Sequence, residues 1–165
     1  MVGGASMPVT ALAGPVAGGR LACGLWSGGV GVWDARARGT AGMDVLVRHQ
    51  RAVTAIVPLG EHTLATASQD SFANVWDVRA PAAPLCTVTL DRAPVLAAVH
   101  IPGTQALALS TPRALHRLDT ATGAHTPLAR ATAPGFGSLL WNAAAGSLYA
   151  CSQSSISVFV PLHHT

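Results

Sequence analysis

The sequence predicts an all-β fold made of four repeated units, and three observations carry this prediction. An apolar segment recurs at intervals of about 40–45 residues, ending in turn at Trp33, Trp76, Leu118 and Phe159. Short runs rich in apolar and β-branched residues lie between these positions, separated by turns of Gly, Pro, Ser and Asp. Half of the 165 residues are hydrophobic and 10% are charged, a composition that suits a packed core and excludes a disordered chain.

The repeat length is that of one blade of a β-propeller, in which each blade is a four-stranded antiparallel sheet. We therefore expect about four blades, at residues 9–48, 52–90, 94–130 and 137–162, after a flexible tail at residues 1–8. The fourth unit has segments for only three strands, whereas a propeller normally removes its sheet edges by closing the ring. The prediction is a partial or open propeller. Three forms remain possible: part of a larger propeller, a half-ring that pairs with another chain, or a compact four-bladed ring.

The second unit carries the most specific motif of the chain. His49 precedes its first strand, Ser68 ends its second strand, Asp70 lies in the following turn, and Trp76 ends its third strand just before Asp77. This pattern resembles one repeat of the WD-repeat β-propeller family. The resemblance implies that the first four of these residues form one buried hydrogen-bonded network, with a role in structure. Such a network is physically coherent because a buried indole N–H needs an acceptor and a buried carboxylate needs donors.

The other units keep less of this pattern. The first unit retains the pair Trp33-Asp34 as its repeat signature. In the third unit, Pro112 and Leu118 stand at the positions of the turn Asp and the Trp, and Asp91 stands near the position of the His. An apolar contact costs less than a polar network with missing members. We therefore expect an apolar contact to replace the network in the third unit.

The residues give no indication of catalysis. None of the sequence motifs typical of hydrolases, metalloproteases, phosphate-binding loops or dinucleotide-binding folds occurs. His49, Ser68 and Asp70 are the residue types of a hydrolytic triad, but the repeat pattern explains their spacing. The histidines and cysteines lack metal-ligand spacing, and the terminal pair His163-His164 is interpreted as a solvated tail. We expect no enzymatic activity, no catalytic residue, no metal site and no cofactor.

Charge and hydropathy also exclude several kinds of partner. The net charge is +3 and the basic residues are scattered singly, so nucleic acid is not an expected partner. No run approaches the roughly 18 apolar residues of a membrane span, and the N-terminal segment does not resemble a signal peptide. Cys23, Cys86 and Cys151 lie far apart in apolar strand patterns. We interpret them as buried thiols of an intracellular protein, in the cytoplasm or the nucleus.

These exclusions favour a non-catalytic scaffold for protein–protein interaction, because loops on a rigid framework commonly carry binding contacts. The resemblance places the turns between second and third strands on the same face as the loops that enter the first strands. Candidate partner-binding residues on that face are Trp26, Gln69, Arg48 and Arg51. Trp26 is either an interface anchor or a plug over an incomplete core.

The opposite face suggests a more specific partner. Residues 33–36 and 76–79 both read WDxR, which places Arg36 and Arg79 at matching positions of consecutive units. The longer segment 64–79 is similar to the docking box of WD-repeat substrate receptors of cullin-RING ubiquitin ligases. The resemblance implies docking to the ligase's linker protein through these arginines. The structural alternative is that each arginine is an ordinary solvated loop residue. The expected partners are thus other proteins, including such a linker protein or a second propeller half.

Overall fold

The protein consists of β-strands connected by turns and loops throughout its described part. The computed structural model describes residues 8–16, 18–34, 36, 43–130 and 135–159, with the backbone alone for residues 43–48. Within these ranges the chain forms 15 strands and no helix. The strands lie in four antiparallel sheets that follow one another along the sequence, each with its strands in chain order. The predicted tail at residues 1–8 and the pair His163-His164 fall outside the described residues, apart from Pro8.

The strand boundaries give each sheet the same plan. The first sheet contains β1 (Val9–Val16), β2 (Arg20–Leu25), β3 (Gly29–Trp33) and β4 (Met43–Arg48). The second contains β5 (Val53–Pro58), β6 (Thr63–Ser68), β7 (Phe72–Asp77) and β8 (Cys86–Thr89). The third contains β9 (Ala97–Ile101), β10 (Ala106–Ser110), β11 (Ala114–Asp119) and β12 (His125–Arg130). The described part of the fourth contains β13 (Ser138–Asn142), β14 (Ser147–Cys151) and β15 (Ile156–Phe159).

A close backbone approach fixes the turn between β2 and β3 against the next loop. The amide of His49 donates a hydrogen bond to the carbonyl oxygen of Gly28 at 2.8 Å. Gly28 has a φ of 89°, and a Cβ added to it would overlap the His49 carbonyl oxygen. Glycine is required here because it alone adopts this conformation readily and leaves room for the neighbouring backbone.

The sheets pack face to face through apolar side chains. We call the face that a sheet turns toward the following sheet its forward face, and the opposite face its backward face. Val30 and Val32 of the first sheet form one cluster with Leu64 and Trp76 of the second. The second and third sheets, and the third and fourth, are joined by two further clusters of the same kind. Alternation along each strand supplies one set of side chains to each face.

The described sheets form an open arc. The first strands contact one another in succession, β1 with β5, β5 with β9, and β9 with β13. The backward face of the first sheet and the forward face of the fourth leave large apolar side chains exposed, among them Leu12 and Leu140. A compact four-sheet ring would bury these side chains. The predicted all-β fold, a β-propeller that is partial, is confirmed.

The three cysteines differ in exposure, so the expectation of three buried thiols is wrong. Cys23 is buried, Cys86 is half-buried and Cys151 is exposed. Burial raises the pKa of the Cys23 and Cys86 thiols above its usual range. Cys151 is exposed because it lies on the forward face of the fourth sheet, which no described part of the chain covers.

Candidate functional site

A buried chain of hydrogen bonds lies on the backward side of the second sheet. The indole Nε1–H of Trp76 donates to the Thr66 hydroxyl at 3.0 Å, and that hydroxyl lies 2.8 Å from Nε2 of His49. Nδ1 of His49 lies 3.0 Å from the Asp70 carboxylate, which also accepts the amide of Gln50 at 2.9 Å. A neutral imidazole with its proton on Nδ1 satisfies every group. It donates to the carboxylate and accepts from the hydroxyl, whose oxygen accepts from the indole.

The hydroxyl that joins His49 to Trp76 belongs to Thr66, which the sequence pattern did not include in the network. Ser68 instead donates to the carbonyl oxygen of Arg51 at 3.0 Å and accepts the amide of Asp70 at 3.1 Å. Both hydroxyls lie on the same face, because residues two apart in a strand share a face. Trp76 pairs with Leu64 in the sheet, so Thr66 lies nearer to the indole along β6 than Ser68 does. Ser68 thus forms hydrogen bonds both to the loop that enters β5 and to the β6–β7 turn.

The third sheet contains a polar pair where an apolar contact was expected. Oδ2 of Asp91 lies 2.8 Å from Nε2 of His116, whose side chain is buried. Leu118 is fully buried in the apolar cluster between the second and third sheets, as the replacement of Trp would require. Asp91 nevertheless finds a partner on β11, so the expectation of a wholly apolar contact is wrong. The reason is that the His116 ring is buried and its Nε2 needs a hydrogen-bond partner, which the Asp91 carboxylate provides.

The two WDxR segments form matching local structures. The Asp77 carboxylate accepts the backbone amide of Arg79 at 2.9 Å, its Nε at 3.0 Å and its Nη2 at 2.7 Å. The carboxylate of Asp34 accepts the same three groups of Arg36 at 2.9, 3.0 and 3.1 Å. The guanidinium of Arg36 also donates to the Gly18 carbonyl at 3.0 Å. Both guanidinium groups remain mostly exposed. The hydrogen bonds to the carboxylates hold them in fixed positions at the surface. In each segment the Asp carboxylate accepts a hydrogen bond from the backbone amide two residues later, which is the geometry of an Asx-turn.

We call each of the pairs Asp34–Arg36 and Asp77–Arg79 a fork. The hydrogen bonds of each fork alter the acidity of its carboxyl group. Hydrogen bonds from the Arg79 side chain and backbone lower the pKa of Asp77 from 3.8 to about 2. The same contacts from Arg36 lower the pKa of Asp34, and the carboxylate raises the pKa of Arg36. The pKa of Asp119 is lowered by a different cause, the amide and hydroxyl of Thr122.

Three of the predicted partner-binding residues lie at one end of the first two sheets. The β2–β3 turn, which carries Trp26, is bonded to the loop that enters β5. The β6–β7 turn is bonded to the same loop, because the Gln69 amide donates to the Ala52 carbonyl at 3.0 Å. Trp26 is 61% exposed, and Arg51 and Gln69 are also exposed. We call Trp26, Arg51 and Gln69 the turn-end surface. The side chain of Arg48 lies outside the described residues.

The same end of the third and fourth sheets carries a shallow groove of about 370 Å³. Its walls are the loop before β9, the segment before β13 and the β14–β15 turn, with Leu96, Ser138 and Gln153 among the lining residues. Within the described part of the chain, no three possible metal ligands come together. No helix among those residues is long and apolar enough to cross a membrane.

Comparison with known proteins identifies the class of fold. No protein-family model and no curated protein matches the chain. The computationally designed Ika4 protein superposes with a TM-score of 0.76 at 16% identity, covering 97% of this chain and 95% of its own. The designed Ika8 protein gives a TM-score of 0.71 at 16% identity, covering 93% of this chain and 46% of its own.

A natural propeller shows the same likeness. The β-propeller domain of Myceliophteria thermophila Cps50 (Swd1) superposes with a TM-score of 0.76 at 19% identity, covering 93% of this chain and 51% of its own. At such identities the likeness shows the fold alone, and that fold is a β-propeller. This chain therefore spans about half the length of the Swd1 domain and of Ika8.

The Thr66 hydroxyl should be needed for stability. Thr66→Val keeps the side-chain shape but leaves the Trp76 indole N–H and the His49 Nε2 without a partner inside the protein. We expect a loss of ~1–3 kcal/mol in the free energy of unfolding, measured by chemical denaturation. The matched control is Thr87→Val on the exposed side of β8, which should change that energy by less than ~0.5 kcal/mol. Equal effects of the two substitutions would show that the buried hydroxyl contributes nothing.

The Asp77 carboxyl should titrate at a pKa of about 2 in the folded protein. The folded pKa lies below the unfolded value, so the fork stabilises the fold above pH ~3.8 and loses its effect as the pH falls through ~2. Carboxyl titration by NMR should show the Asp77 pKa moving toward 3.8 in Arg79→Ala. The pKa of Asp119 serves as the control and should stay lowered. An unchanged Asp77 pKa in the variant would refute the fork as the cause.

Proposed function

We propose that this protein is a non-catalytic scaffold of the WD-repeat type that binds another protein through its turn-end surface. The exposed indole of Trp26 is the observation that carries the proposal. It lies in a turn whose neighbouring Gly28 is fixed against the His49 backbone. An aromatic side chain on a rigid support binds at a low cost in conformational entropy, and such residues are frequent anchors of protein interfaces.

The charge of the turn-end surface indicates the chemistry of the partner. Arg51 and Gln69 offer exposed donors at the same end of the sheets as the indole, while the Asp70 carboxylate is turned inward onto His49 and the Gln50 amide. The side chain of Asp70 is only 6% exposed, so it adds little negative charge to this surface. A peptide segment that presents an apolar side chain together with carboxylates or backbone carbonyls would match these groups.

The turn-end surface should lose its partners when the indole is removed. Affinity capture with the Trp26→Ala variant should recover fewer interacting proteins than the wild type, with an unchanged melting temperature because the side chain is mostly exposed. The matched control is Leu85→Ala, another large exposed apolar side chain, placed before β8. The same partners recovered by wild type and Trp26→Ala would refute the turn-end surface as the binding site.

A second candidate function is substrate-receptor adaptor of a cullin-RING ubiquitin ligase. What supports it is the pair of forks, which hold Arg36 and Arg79 in the same geometry one sheet apart. An oriented guanidinium can bind a carboxylate or carbonyl in a bidentate geometry that Lys does not reproduce.

The adaptor proposal has a direct test. Wild-type protein should retain the purified linker protein of the ligase, and the double variant Arg36→Lys/Arg79→Lys should release it despite its unchanged charge. The control pair Arg117→Lys/Arg130→Lys lies on exposed positions of the third sheet and should bind as the wild type does. If the wild type does not retain the linker protein, the adaptor proposal fails.

A further inference from the structure

Two apolar sheet faces of this chain are uncovered. The forward face of the fourth sheet exposes Leu140, Ile156 and Val158 by 64, 69 and 54%. The backward face of the first sheet exposes Leu12 and Trp33 by 65 and 39%. Among the side chains that the structure describes on these two faces, none is charged. Large contiguous apolar surfaces of this kind indicate an interaction site.

The backward face of the first sheet has the pattern of an inter-sheet interface. Leu12 pairs with Cys23 at the place where, in the second sheet, Ile56 pairs with Thr66. Trp33 likewise occupies the place of Trp76. Ile56 and Trp76 are 7 and 3% exposed, because the first sheet covers them. Their counterparts Leu12 and Trp33 are exposed because no preceding sheet is present in the described chain.

The forward face of the fourth sheet shows the same relation to the second sheet. Leu140, Tyr149 and Val158 are paired across neighbouring strands of the fourth sheet. They occupy the positions that Val57, Ala65 and Val75, in that order, occupy in the second sheet. Val57 and Val75 are 8 and 3% exposed because the third sheet covers them. The two uncovered faces are therefore the two complementary halves of the interface that repeats inside the chain.

We propose that two copies of this chain join at both ends, the forward face of each fourth sheet packing on the backward face of the partner's first sheet. Each copy carries both halves of the interface, and a head-to-tail contact that closes after two copies gives a ring with two identical junctions. The length agrees with this arrangement, because the chain spans 51% of the Swd1 propeller domain and 46% of Ika8. Two sets of four sheets would then leave no apolar face uncovered.

A close approach between the first and second sheets indicates how the copies would meet. A Cβ added to Gly24 would lie 2.7 Å from the Cβ of Val53. In the fourth sheet, Cys151 holds the place of Gly24, as the last residue paired before the turn. In the first sheet, Val9 holds the place of Val53, since each pairs with the last residue of the following strand. The ring therefore sets Cys151 against Val9 of the partner subunit.

The first test is the mass of the purified chain. Sedimentation analysis should give twice the 16.7 kDa of one chain. Leu140→Arg and Leu12→Arg should each reduce the mass to that of one chain, because either substitution places a charge at both junctions. Leu85→Arg, at an exposed leucine outside the two faces, should leave the mass doubled. A single-chain mass for the wild type at all concentrations, or doubled masses for both interface variants, would overturn the proposal.

The second test probes the geometry. Mild oxidation of the Val9→Cys variant should give a covalently linked dimer on a non-reducing gel. A shift of about an ångström from the 2.7 Å of the equivalent Gly24–Val53 positions brings the two Cβ atoms to the ~3.5–4.5 Å that a disulfide requires. The link should disappear when Cys151→Ser is added, and Leu85→Cys should not form it. Absence of a link through Cys151 would overturn the proposed arrangement. Neither test depends on the turn-end surface, because Trp26→Ala should leave the mass unchanged.

Discussion

The packing of one sheet's forward face on the next sheet's backward face is the interaction on which the rest of the structure depends. A four-stranded sheet with apolar residues on both faces cannot bury them alone, so each face requires a neighbour. Leu64 of the second sheet and Leu107 of the third are fully buried for this reason. The repeated contact also sets the curvature, because each sheet bears the same relation to the next. The arc, its uncovered ends and the common direction of its turns all follow from this one interface.

Most polar groups that enter this apolar stack are hydrogen-bonded, although Oδ1 of Asn74 and Nδ1 of His116 are buried without a partner. In the second sheet the chain from Trp76 through Thr66 and His49 to Asp70 satisfies each buried group. In the first sheet Cys23 occupies the place of Thr66, and its weak thiol could not replace the hydroxyl. In the third sheet Leu118 stands at the position of the Trp, and the carboxylate of Asp91 in the preceding loop pairs with His116 of β11. These three different sets of residues at one position show that the interface between sheets does not require a fixed set of polar residues.

The repeat period and the turn residues predicted the four sheets, because strand alternation and turn chemistry are local properties of the sequence. The roles of Thr66 and Ser68 could not be separated in the same way, since both hydroxyls share a face and only the strand register decides which one reaches the indole. The pair Asp91–His116 joins residues far apart in sequence and likewise needed the register. The forks of Arg36 and Arg79, by contrast, are i to i+2 contacts that the WDxR spacing contains. The open ends of the arc were expected, but the exposed side chains there could not be identified from the local pattern, because Leu140 and Val57 share that pattern and differ only in their neighbours.

Closure of the ring would also change what the turns can bind. All turns between second and third strands lie at one end of their sheets, so the first sheet of one copy would set Trp26 beside the β14–β15 turn of the partner subunit. That turn lines the groove between the third and fourth sheets. The indole and the groove, whose lining is mainly apolar, would then form one continuous surface across each junction. A peptide bound there would contact both copies, and its binding energy would favour the closed ring over the single chain.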